Sequence, residues 1–72
     1  MEPILFALRG DHITLDALLK ATGLAHSGGG AKVLIADGQV QVNGEVETRR
    51  GRKLRAGDGV ALGDQRVQLT PP

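Results

Sequence analysis

Five cations stand within seven residues: Arg49, Arg50, Arg52, Lys53 and Arg55, with no acid among them. In a free chain these charges repel one another. A polyanion relieves that repulsion, and its phosphates release counterions on binding. Four of the five are arginines, whose planar donor forks match phosphate oxygens two at a time; a lysine ammonium cannot do this. A run this dense reads as a nucleic-acid patch. The same residues could also form a solvated arm that binds nothing. Over the whole chain the charge nearly cancels, with nine Lys and Arg against eight Asp and Glu and a net charge of +1. The basic character is therefore local, not global.

A second candidate is Ser27-Gly28-Gly29-Gly30-Ala31-Lys32. A helix start presents unpaired N–H groups and a partial positive charge. Glycines let a phosphate approach that backbone closely, and Lys32 adds a cation near the first turn. Ser27, Gly29, Gly30 and Lys32 are the candidate contacts here, and Lys20 could extend the patch. The rival reading is a Ser27 cap followed by a flexible glycine entry. A nucleotide-binding loop is not expected, because the glycine–lysine–Ser/Thr ending is missing and no strand leads into the glycines.

Other chemistries find little support. With no Cys, there are no disulfides, no thiolate metal sites and no cysteine nucleophile. The only histidines, His12 and His26, lack the close ligand spacing of a zinc site. Asp11, Asp16, Asp37 and Asp58 fit turns, caps and helix ends. No enzymatic activity, metal, cofactor or small-molecule substrate is expected. One Phe, with no Trp or Tyr, makes stacking of bases on aromatic side chains improbable. Any RNA bound would be read through its phosphates and helical shape. The longest apolar run, Ile4 to Leu8, falls far short of the ~20 residues of a membrane span. No basic residue precedes it, so a signal peptide is not expected either, and the cytoplasm is the expected location.

The elements that must hold these residues can be read from spacing. Seventy-two residues suit one small domain, 1–72. Its core must come from ten Leu, six Val, three Ile and one Phe, with no covalent staple. Ile4 to Leu8 predicts a first strand. Thr14 to Thr22 predicts a helix, with Thr14 as cap, Leu15, Leu18 and Leu19 on one face, and Gly23 as stop. Ser27 to Asp37 predicts a second helix with Ala31, Leu34 and Ile35 on one face. Gln39 to Val42 alternates polar and apolar, Asn43-Gly44 is a hairpin turn, and Glu45 to Thr48 returns. The basic segment then loops to two short strands, Val60 to Leu62 and Arg66 to Leu69. The expected order is β-α-α-β-β-loop-β-β. This is an α+β fold, with two helices packed on a small, bent, mostly antiparallel sheet.

Taken together, these motifs resemble the RNA-binding domain named after small-subunit ribosomal protein S-four. The carrying pieces are Leu15-Asp16-Ala17-Leu18, Ser27 to Ile35, Val40-Gln41-Val42-Asn43-Gly44 and Gly57-Asp58. The resemblance spans roughly residues 13–62, and its order and spacing are more specific than any one piece. It is closer still to a branch of short stand-alone bacterial proteins, the YbcJ-like group. That branch is similar at Leu19-Lys20, at Ser27-Gly28-Gly29 with Ala31-Lys32, and across 45–53, Glu-Val-Glu-Thr-Arg-Arg-Gly-Arg-Lys. The resemblance implies a cytoplasmic protein that binds structured RNA, with the ribosome as the expected setting and two helices and the following turn as the RNA surface. Two family arginines are replaced here, by Thr14 and Gly28, so two phosphate contacts of the wider family are missing. The arginine run would compensate.

The sequence thus points to non-enzymatic binding of structured RNA, with ribosomal RNA the leading ligand. Lys20, Ser27, Gly29, Gly30, Lys32, Arg49, Arg50, Arg52, Lys53 and Arg55 are the expected contacts. Changing Arg49 and Arg52 to Ala is expected to weaken RNA binding without lowering thermal stability. The rival is a protein-binding module whose basic arm docks an acidic, ribosome-associated partner. DNA is a third ligand, since phosphate contacts do not distinguish the sugars.

Overall fold

Leu15, Leu18 and Leu19 recur at helical spacing, so one turn-and-a-half of helix can bury all three at once. The computed structural model describes residues 2–72. In chain order its elements are β1 (Ile4–Ala7), β2 (Ile13–Thr14), α1 (Leu15–Ala21), α2 (Gly28–Ala36), β3 (Val40–Val42), β4 (Glu45–Val46), β5 (Lys53–Leu54), β6 (Gly59–Leu62) and β7 (Gln65–Thr70). The three α1 leucines are fully buried, and α2 contributes Ala31 and Ile35 to the same core.

Opposite the helices lies a five-stranded sheet in the order β1-β7-β6-β3-β4. Its period-2 pattern sends Val40, Val42, Val60, Val67 and Leu69 inward, while Gln41 faces solvent. The register opposes Val42 to Val60, and Val60 in turn to Val67. These β-branched side chains therefore stack in a row across three strands, as half-buried sheets favour. All pairings in this sheet are antiparallel except β1 with β7, which run parallel. The parallel pair follows from topology: the first strand enters beside the last, joined through the whole domain.

The hairpin expected at Asn43-Gly44 is present, with Asn43 at φ +52° and Gly44 at φ +86°. Positive φ at both central residues is the type I′ geometry that matches strand twist. Asn43 is also braced from its side chain. Its Oδ1 accepts from the Gly59 amide at 2.9 Å and its Nδ2 donates to Asp58 Oδ1 at 3.0 Å.

Three local expectations change. The strand expected over 45–48 stops at Val46. The basic segment is not only a loop, because Lys53 and Leu54 form β5. This strand pairs antiparallel with β2 in a separate two-stranded sheet, Thr14 opposite Lys53 and Ile13 opposite Leu54. Strands of two residues carry no alternation for a sequence to reveal. Finally, Thr14 sits at the N-cap of α1, but its side chain caps no amide and instead donates to Asp16 Oδ1 at 2.7 Å. The amides that such a cap would reach are already engaged, that of Asp16 by the Arg50 carbonyl at 3.1 Å and that of Ala17 by Asp16 Oδ1 at 2.8 Å, while the Leu15 amide donates to the Arg52 carbonyl at 2.9 Å.

Among the described residues no helix is long and apolar enough to cross a membrane.

Candidate nucleic-acid interface

The basic segment begins with a tight turn. Arg52 donates its amide to the Arg49 carbonyl at 3.2 Å, which puts Arg50 and Gly51 at the tip, both exposed. The turn rests on the N-terminus of α1 through the two carbonyl bonds from Arg50 and Arg52. Beyond it, Leu54 is fully buried and anchors β5 in the core. The segment is therefore a docked ledge held by its backbone, not a free arm. Its carbonyls also close off the start of α1, so those amides are not open to an anion.

Glu47 lies behind this turn and is the one buried acid among the described residues, with its side chain 9% exposed. Oε2 accepts from the Arg49 amide at 3.2 Å and from Arg49 Nε at 3.0 Å. Oε1 accepts from Arg49 Nη2 at 3.2 Å and from Arg52 Nη1 at 2.7 Å. A buried carboxylate is tolerable when both oxygens are bonded to charged donors. The Arg49 hydrogen bond first, and then that of Arg52, pull its pKa from 4.5 down to about 2. The segment's five cations are thus partly neutralised from within.

They divide into three kinds. Arg49 and Arg52 are tied to Glu47, although the Arg49 side chain remains 74% exposed. Arg55 leans towards Asp11, with Nη1 3.4 Å from the Asp11 carbonyl oxygen and 3.9 Å from its carboxylate. Asp11 in turn contacts His12 Nδ1 at 2.8 Å, and that hydrogen bond holds its carboxyl below the usual aspartate value. Arg50 and Lys53 are exposed, and no carboxylate among the described residues lies within ion-pair distance of either.

The start of α2 is the second cationic site. Ser27 adopts an extended backbone, and its Oγ accepts from the Gly30 amide at 3.0 Å. The Gly30 amide is thereby used, while those of Gly28 and Gly29 have no hydrogen-bond partner among the described residues. A Cβ at Gly28 would stand 3.9 Å from Lys20 Cδ, so the Lys20 stem runs beside this helix start. Lys32 follows one turn later, exposed, on the same side as Gly28 and Gly29. The arrangement therefore joins Lys20, Gly28, Gly29 and Lys32.

Helix α1 links the two sites. The Arg50 and Arg52 carbonyls hold its first residues, and Lys20 in its last turn stands by the start of α2. At 1.5 Å per residue, the five residues from Leu15 to Lys20 set them roughly 7–8 Å apart along its axis. The sequence names the cations of these two sites as residue types, but it does not reveal the role of Glu47 or the carbonyl bonds to α1. An acid two residues before an arginine run was the available signal for the first. Nothing in a sequence announces the second. A further brace lies below the ledge: Asp58 Oδ2 accepts from the Arg55 amide at 2.8 Å, and this bond leads the lowering of the Asp58 pKa.

A family model for the S4 domain matches residues 6–70. The Escherichia coli (strain K12) protein named "Putative RNA-binding protein YbcJ" is 47% identical over 58 residues, covering 81% of this chain and 83% of that protein. The Bacillus subtilis (strain 168) "Probable ribosome maturation protein RlbA" is 46% identical over 50 residues, covering 69% of this chain and 70% of the other. Among solved structures, the solution structure of YbcJ from E. coli, described as revealing an ALFAL motif involved in RNA-binding, superposes with a TM-score of 0.74. It is 41% identical, and the match covers 97% of this chain and 90% of that one.

Proposed function

This chain belongs to the S4 domain family, and from that premise we propose that it binds structured RNA as a non-enzymatic module. Ribosomal RNA is the RNA we assign, on the strength of the B. subtilis relative named for ribosome maturation, and the cytoplasm is then its place of work. The observation that carries the reading is the pair of exposed, unneutralised cations, Arg50 and Lys53, on a ledge docked to the helix whose far end reaches Lys20 and the α2 start.

Phosphates would meet this surface in two places. On the ledge, Arg50 and Lys53 offer free charge, Arg49 and Arg52 offer the donors not spent on Glu47, and Arg55 lies at the far end. At the start of α2, the Gly28 and Gly29 amides and the flanking Lys20 and Lys32 make the second contact, with Ser27 and Gly30 shaping the turn. Backbone contacts of this kind give affinity and little base specificity. A-form RNA is recognised largely by such shape and phosphate contacts, with its 2′-hydroxyls distinguishing it from DNA.

The test is binding to a labelled hairpin RNA across a salt series, with a matched DNA duplex as competitor. The reading expects log affinity to fall steeply with log salt, at a slope of roughly 4–6 neutralised phosphates. No binding at low salt would sink it and leave an acidic protein partner as the ligand of the ledge. Equal competition by the DNA would remove RNA as the preferred ligand.

A further inference from the structure

Glu47 is an acid at the centre of the most basic part of the chain. Simple charge counting says that it should weaken a phosphate site. Its placement says otherwise. It is buried behind the two arginines, while Arg49 extends outward with three-quarters of its side chain exposed. The Glu47 amide donates to the Val40 carbonyl at 3.0 Å, so the backbone that carries the carboxylate is tied to the central sheet. A phosphate can reach Arg49 and Arg52 from solvent without displacing the acid.

The donors left over point the same way. Arg49 spends Nε and one Nη2 hydrogen on Glu47, which leaves its Nη1 side unspent. Arg52 spends only Nη1, leaving Nη2 and Nε. A free arginine loses considerable rotamer freedom when it is fixed on a ligand. Two arginines already fixed on a buried carboxylate have lost it during folding. Without an acid among them, cations this close would also splay apart.

We propose that Glu47 is a positioning residue that holds the Arg49 and Arg52 guanidiniums in the geometry in which they meet RNA phosphates. The inference rests on the RNA-binding reading above and extends it, because an acid here strengthens an anion site.

Glu47→Gln tests this by sign. The substitution keeps the shape and raises the net charge by one from +1. Charge alone would tighten binding. Positioning predicts roughly tenfold weaker binding to a labelled hairpin RNA, measured where circular dichroism shows both proteins folded. A role confined to stability would lower the melting temperature and leave the affinity of the folded protein unchanged. Equal or tighter binding by the Gln variant overturns the proposal. In the free proteins, heteronuclear NOEs of the Arg49 and Arg52 Nε–H groups supply a readout that needs no RNA. They are expected to show rigid side chains in the wild type and mobile ones in the variant, and equal mobility also overturns it. A wild type that binds no RNA at low salt sinks the RNA reading, and the NOE comparison then decides whether Glu47 positions the arginines. If Glu47→Gln does not fold, Glu47→Asp repeats the test with net charge unchanged. Weaker RNA binding is expected, and undiminished binding overturns the proposal.

Discussion

The amide of Leu15 donates to the carbonyl of Arg52 at 2.9 Å, and through that bond the most basic turn of the chain caps its first helix. The relationship separates two jobs that a charge count merges. The backbone of the ledge completes the fold, since it satisfies helix amides that would otherwise need a side-chain cap. Its side chains are left free for a ligand wherever they are not claimed by Glu47 or Asp11. Substitutions at the unclaimed positions should therefore report on binding alone.

Arg50 and Lys53 are those positions. The double variant Arg50→Ala/Lys53→Ala should bind the hairpin RNA roughly tenfold or more weakly, with a salt slope smaller by about two. Its stability should stay within about 0.5 kcal/mol of wild type, as is usual for exposed sites. Arg49→Ala/Arg52→Ala behaves differently. The sequence alone suggested that it would spare stability, but removing both arginines leaves Glu47 buried without its charged donors. That variant should melt at a lower temperature as well as bind less. Thermal melts of the two variants side by side check the contrast, and equal melting temperatures would count against it.

Acid should expose the same interaction. The Glu47 pKa falls from 4.5 to about 2 in the folded protein. A depressed carboxylate contributes its full stability above the unfolded value, and loses it as pH falls towards the folded one. The Asp58 and Asp11 carboxyls, also lowered, act in the same direction. The melting temperature of the wild type should therefore drop between pH 4.5 and about 2. Glu47→Gln lacks this contribution, so the gap between the two proteins should narrow over that window. The chain has neither Trp nor Tyr, so far-UV circular dichroism is the appropriate probe. A gap that stays constant with pH would show that Glu47 does not titrate in this range.

How much of this was readable beforehand divides along physical lines. The leucine face of α1, the Ser27 start of α2 and the Asn43-Gly44 turn were legible, because each rests on local spacing or on a backbone demand of one or two residues. The pairing of Ile13 with Leu54 was not, since two residues on each side leave no pattern and the partners are far apart in sequence. The cationic positions were legible as residue types. Which of them are free was not, because that depends on Glu47 turning inward while Glu45, on the same chain stretch, stays exposed.

Asn43 offers a test of the turn that supports the ledge from below. Its left-handed backbone and its two side-chain bonds to Asp58 and Gly59 are separable. Asn43→Ala loses the bonds and keeps the strain, for a total cost of about 2–3 kcal/mol. Asn43→Gly loses the bonds but relieves the strain, so it should cost about 1 kcal/mol less. In a domain of this size, each 1 kcal/mol moves the melting temperature by about 4–8 °C. The expected order of melting temperatures is wild type, Gly, Ala. Equal melting of the two variants would show that the hydrogen bonds alone matter.

The glycines of α2 pose the final question, because the fold itself does not require one at position 29. A Cβ there would meet only Ser27 Oγ, at an ordinary 3.9 Å, and the residue lies in regular helix with no positive φ. Glycine inside a helix is less favourable than alanine by about 1 kcal/mol, and somewhat less near its first turn. On stability grounds alone, Gly29→Ala should therefore raise the melting temperature by a few degrees. If the Gly28 and Gly29 amides receive a phosphate, the added methyl group obstructs its approach and binding to the hairpin RNA should weaken. The two effects have opposite signs, so one variant separates them. A protein that is more stable and binds less would place a ligand on this helix start. A protein that is more stable and binds as well as before would leave the ledge and its lysine neighbours to carry the contact.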